Sequence, residues 1–108
     1  MEQSHEGITL YWNFGSQPSR SVKALLLIGK IPHKEVDIDI LKREHKGEEY
    51  LKINPRGLLP YLRDGDFKIS ESNAILKYLC NTHDTIPEHY YPKDLKLRYR
   101  VEMFLEYN

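Results

Sequence analysis

The chain has 108 residues of ordinary apolar and charged content, enough for one domain around a modest core and without a disorder signature. Sixteen basic residues against sixteen acidic ones leave no net charge, so nothing gathers a basic face for nucleic acid, and Lys93, Lys96, Arg98 and Arg100 read as a solvated helix face. Cys80 is the one cysteine, which excludes an internal disulfide and a cysteine cage, and His5, His33, His45, His83 and His89 lack the spacing of a zinc site, so no metal is expected.

Residues 1–6 lack the basic-then-apolar order of a signal peptide, and no apolar run approaches the roughly 18 residues of a membrane span. A cytoplasmic protein with no membrane partner is the expectation. Residues 8–12, Ile-Thr-Leu-Tyr-Trp, alternate and are β-branched or aromatic, which predicts a strand. Asn13 to Gln17 break the pattern, and Pro18 suits the first turn of a helix whose apolar stripe is Val22, Leu25, Leu26 and Gly29. Gly29 with Pro32 ends that helix, and the alternation of residues 35–40 predicts a second, parallel strand. The polar stretch 42–52 reads as a short helix, and Asn54-Pro55-Arg56-Gly57 as a turn. Residues 58–63 and 67–70 flank Asp64-Gly65, a type I′ hairpin signal. Ser70 is the expected N-cap of a helix running to about Asn81, with Ile75, Tyr78 and Leu79 inward.

The order β-α-β, short helix, β-β, α predicts an α/β fold: a thioredoxin-like four-stranded mixed sheet with helices on both faces, over residues 1–82. Residues 83–92, with Pro87 and Pro92, read as a linker. Residues 93–108 read as a helix whose wide apolar surface (Leu97, Val101, Phe104 and Leu105, flanked by Leu95, Tyr99 and Met103) suits the first helix of an otherwise absent all-α second domain. Docking on the sheet or on a second subunit is the other reading of that surface.

The chemistry concentrates after the first strand. Ser16-Gln17-Pro18-Ser19 stands where a thioredoxin-like fold would carry a redox Cys-x-x-Cys, and hydroxyls cannot form the mixed disulfide of dithiol exchange. What remains is a hydroxyl at a helix N-terminus, in the partial positive field of unpaired N–H groups. Taken alone, Ser16 would be a helix cap. No Gly-x-Ser-x-Gly elbow surrounds it, which argues against a serine hydrolase.

Leu10-Tyr11, Ser16-Gln17-Pro18-Ser19-Arg20, His45, Asn54-Pro55, Leu59-Pro60, Asp64-Gly65-Asp66-Phe67 and Glu71-Ser72, in this order, resemble the N-terminal domain of theta-class glutathione transferases. The resemblance covers nearly the whole chain, including the entry to a second domain at Tyr91-Pro92-Lys93-Asp94-Leu95. It implies that Ser16 donates a hydrogen bond to the sulfur of glutathione, the co-substrate, for conjugation to an electrophilic small molecule. It further implies that Leu59, before a cis Pro60, pairs its backbone with the cysteinyl part, that Glu71 and Ser72 hold the γ-glutamyl end, and that His45 meets the glycyl carboxylate. Ser19 is a competing hydroxyl with a structural reading, and Arg20 a further candidate. Leu58 departs from the lysine or glutamine of the family, a contact that Arg56 would have to replace. A homodimer, and an electrophile seated mainly against the helical second domain, are family expectations. A non-catalytic binding or protein-interaction module is the alternative.

Overall fold

The computed structural model describes residues 7–106; the leader reading of residues 1–6, His5 and the last two residues of the predicted helix 93–108 lie outside them. Four strands, β1 (Ile8–Trp12), β2 (His33–Asp37), β3 (Tyr61–Asp64) and β4 (Phe67–Ser70), form one sheet in the order β2-β1-β3-β4. β2 runs parallel to β1, β3 antiparallel to β1, and β4 antiparallel to β3. Helix α1 (Gln17–Ile28) joins the parallel pair, α2 (Glu48–Ile53) and a 3₁₀ turn at Glu44–Lys46 link β2 to β3, and α3 (Ser72–Thr82) follows the hairpin. This is the expected thioredoxin-like mixed sheet.

The alternation of β1 explains why both faces are covered. Ile8 and Leu10 join Val22, Leu25 and Leu26 of α1, Leu62 of β3, and Ile75 and Leu79 of α3 in the larger core. Tyr11 points to the opposite face, where it meets Tyr61, Ile38 and Tyr50 of α2. Successive side chains of a strand face opposite ways, so one five-residue strand seeds both layers.

Several boundaries differ from the sequence reading. β2 occupies His33–Asp37 instead of 35–40, because its backbone pairs Ile8 with His33 and Trp12 with Asp37. Its side chains are largely exposed, so burial does not phase them, and the alternation that continues to Ile40 belongs partly to the following turn. The hairpin closes at Asp64 and Phe67, leaving Gly65-Asp66 in the loop. Gly65 alone of these two has positive φ (61°), the sign pattern of a type II′ turn and not of type I′. Ser70 still pairs with Tyr61, so the N-cap of α3 falls to Glu71.

Helix α1 ends in a Schellman arrangement: Ile31 N–H donates to the Leu26 carbonyl (2.9 Å) and Lys30 N–H to that of Leu27 (3.1 Å). The left-handed residue is Lys30 (φ 52°), while Gly29 itself is right-handed. Gly29 is needed for space, since a β-carbon there would stand 2.7 Å from Ile86 Cγ1.

After a 3₁₀ turn at Glu88–Tyr90, α4 (Leu95–Glu106) lies along α3. It is held by polar contacts: Lys77 Nζ donates to Glu102 (2.6 Å), the Tyr91 hydroxyl donates to the same carboxylate, and Arg98 Nε donates to the Pro92 carbonyl (2.7 Å). None of its residues is buried. Among the described residues no helix is long and apolar enough to cross a membrane.

Candidate functional site

The loop between β1 and α1 is tied at every residue. Asn13 accepts from Gly15 N–H (2.8 Å) on its side chain and from Ser16 N–H (3.0 Å) on its carbonyl, and its own amide donates to Asp37 (3.1 Å). Arg20 Nη1 donates to the Phe14 carbonyl (2.7 Å) and its guanidinium lies 5.5 Å from the Phe14 ring centre. Arg20 therefore braces the loop. Ser16 is the N-cap of α1, in extended conformation, and its Oγ accepts from Ser19 N–H at 3.2 Å. A hydroxyl has one proton and two lone pairs, so accepting this bond leaves the Ser16 O–H free to donate. Ser19 is fully buried, on the core side of the helix.

A cleft of about 130 Å³ lies beside this helix head, walled by Pro18, Leu58, Leu59, Pro60, Glu71 and Ser72. Four of the five residues assigned by resemblance to glutathione itself thus share one cavity, whose wall includes Pro18 of the α1 head but not Ser16. The Leu59–Pro60 peptide is cis. The Leu58 carbonyl is clamped twice, accepting from the Tyr50 hydroxyl (2.8 Å) and from the Asn54 side-chain amide (3.1 Å). Burial pushes the Tyr50 phenol up to about 12, which keeps it a donor at any physiological pH. Tyr50 and Asn54 were given no role at the site by the sequence reading; Asn54 was visible as a turn signal and, with Pro55, as part of the family resemblance.

Across the cleft, Glu71 sits at φ 74°, ψ 115°, a conformation that a non-glycine residue holds at a cost of roughly 1–3 kcal/mol. Its carboxylate does not cap α3; it lies 3.7 Å from Arg56 Nη1, with both side chains mostly exposed. The first N–H groups of α3, beginning at Ser72, have no earlier turn to pair with. The cleft thus offers a carboxylate, a hydroxyl and helix-head N–H donors side by side, complementary to a group carrying both an ammonium and a carboxylate. His45 is not part of the cleft wall; it lies in the 3₁₀ turn Glu44–Lys46, with a buried Nδ1. Among the described residues no group of three or more histidine, cysteine or acidic residues could hold a metal.

A family model for the glutathione S-transferase N-terminal domain matches residues 6–81. Human glutathione S-transferase theta-2 is 44% identical over 99 residues, covering 92% of this chain and 40% of that protein. The chain belongs to the glutathione S-transferase family. The crystal structure of human glutathione transferase theta-2 with glutathione and an unknown ligand superposes with a TM-score of 0.89 at 42% identity, covering 94% of this chain and 41% of that one. A human theta-class glutathione transferase holding the glutathione conjugate of 1-menaphthyl sulfate gives a TM-score of 0.88 at 42% identity over the same shares. This chain spans about two-fifths of the length of those relatives.

Proposed function

We propose that the chain binds glutathione in the Leu58–Ser72 cleft and that the Ser16 hydroxyl stabilises the bound sulfur as a thiolate, ready to attack an electrophilic small molecule. The observation that carries this is the polarity of Ser16: its Oγ is fixed by an accepted bond from Ser19 N–H, which leaves its proton free to donate to a ligand. The bland cap and the catalytic donor are one and the same serine. Glu71 would take the γ-glutamyl ammonium, Ser72 and the α3 head the neighbouring carboxylate, and the Leu59 backbone the cysteinyl peptide as an added strand. His45 would meet the glycyl carboxylate. Its buried Nδ1 has no partner among the described residues, so Nε2 is the ring nitrogen assigned to the carboxylate.

The magnitudes suffice without a general base. Lowering a thiol from about 8.5 by two units takes ~2.7 kcal/mol. A hydrogen bond to a charged partner contributes roughly 1.5–3 kcal/mol, and a helix N-terminus ~0.3–1 kcal/mol more. Leu58 removes one polar contact that the family pattern would supply, and Arg56, paired loosely with Glu71, would have to reach in to replace it. The electrophile would sit largely against a helical second domain that begins with α4, in a cytosolic homodimer. The exposed apolar side chains of α4 favour a second reading, a non-catalytic interaction module, for the chain in isolation.

Ultraviolet thiolate absorbance decides between them. On adding glutathione at neutral pH the wild type gives a thiolate signal, and Ser16→Ala raises the apparent thiol pKa by about one unit or more, one charge-assisted hydrogen bond's worth. An equal signal from both proteins would remove the serine from the chemistry.

A further inference from the structure

Gly57 carries the seat of the His45 turn. Its backbone lies at φ 64°, and a β-carbon built there would stand 2.7 Å from the His45 carbonyl oxygen, 3.0 Å from Leu51 Cδ2 and 3.3 Å from Lys46 Cδ. Ordinary carbon contacts lie at roughly 3.5–4.0 Å, so the His45 peptide comes this close only because Gly57 has no side chain. From the other side the turn is clamped: Glu44 N–H donates to the Asp39 carbonyl (2.9 Å) and Asp39 N–H to Glu44 Oε1 (2.7 Å). Arg43, which caps the turn at φ 60°, already occupies the left-handed region. Leu51 Cδ2 is the end of a flexible side chain and can give way, whereas the His45 carbonyl is backbone. Any added atom at Gly57 therefore displaces the His45 peptide, and the ring with it.

We infer that Gly57 is a positioning residue for the glycyl end of glutathione, holding His45 at a fixed distance from the Leu58-Leu59 backbone that follows it in the chain. The inference rests on the tripeptide site proposed above. One short segment then sets the spacing of two subsites. Leu59 lies two residues after Gly57, on the cysteinyl side, and His45 is packed on Gly57 itself, on the glycyl side. A shift of even 1 Å at a binding group can cost a large factor in affinity.

The test compares glutathione with γ-glutamylcysteine, the same ligand without its glycine, by calorimetric titration of the 108-residue chain. The wild type should bind glutathione about tenfold more tightly than the dipeptide, the equivalent of one hydrogen bond. Gly57→Ala should abolish that preference and leave dipeptide affinity within about twofold. Added to His45→Ala, it should cost nothing further. Gly57→Asn, which accepts the left-handed backbone and still carries the β-carbon, must show the same selective loss. A preference that survives in folded Gly57→Ala, or equal loss for both ligands, overturns the inference, as does failure of both variants to fold. A wild type that binds both ligands equally overturns it by removing the His45 assignment, and one that binds neither contradicts the tripeptide site itself.

Discussion

Ser16 caps α1 with the same oxygen that the proposed function assigns to the glutathione sulfur, and substitution can separate the two roles. Replacing an N-cap serine by alanine costs about 1 kcal/mol of stability, whereas glycine costs only a few tenths. Ser16→Gly should therefore melt close to the wild type yet lose the bound thiolate as fully as Ser16→Ala, measured by thermal unfolding beside thiolate absorbance. A glycine variant that retains the thiolate would show the helix head acting without the hydroxyl. At this scale the sequence was partly legible. Ser16, Leu59, Pro60, Glu71 and Ser72 are recognisable because their order and spacing resemble a family pattern, and the structure gathers the last four with Pro18 and Leu58 around one cleft. The double clamp of Tyr50 and Asn54 on the Leu58 carbonyl was not, since it depends on a helix packing over a turn four and eight residues away. Nor does any local signal mark Glu71 for positive φ; its neighbour Ser70 is the better cap by residue type but is retained by the β3–β4 ladder.

Most elements were readable, including β4 and α4, which bury no residue, but the bounds of the edge strand β2 were not. Helix α1 buries Val22, Leu25 and Leu26 at helical spacing, as its stripe predicts. β2 is an edge strand whose register comes from backbone pairing to β1, which leaves no trace in its side chains, so its predicted start was two residues late. The end of α1 shows a further mismatch between residue type and role, because the glycine is spent on close packing against Ile86 while Lys30 takes the left-handed position. A non-glycine residue there costs roughly 1–2 kcal/mol, partly offset by the greater unfolded-state freedom of glycine. Lys30→Gly should therefore stabilise the fold by about 0.5 kcal/mol or more. The check is the midpoint of urea unfolding, which should rise without a change in slope.

In the whole molecule, α4 is the part least committed to the rest. Val101 and Leu105 line an apolar groove of about 310 Å³ against α1 and α3, while Leu95, Tyr99 and Phe104 are about two-thirds exposed. Its attachment depends on the Lys77–Glu102–Tyr91 cluster, and hydrogen bonds from Lys77 and then Tyr91 hold the Glu102 carboxyl below its ordinary 4.5. A lowered folded value means stabilisation that is present above pH 4.5 and fades as pH falls through the lowered value. Amide exchange in α4, corrected for intrinsic rates, should therefore quicken over that acid range, and Glu102→Gln should flatten the dependence. Protection that stays constant with pH would mean that the groove, and not the ion pair, holds the helix. For the account as a whole, a crystal structure of the chain with glutathione is the most direct measurement. It should show the cysteinyl sulfur within hydrogen-bond reach of Ser16 Oγ, with the Oγ still accepting from Ser19 N–H. A sulfur held elsewhere, or a Ser16 side chain rotated away from it, would contradict the central claim.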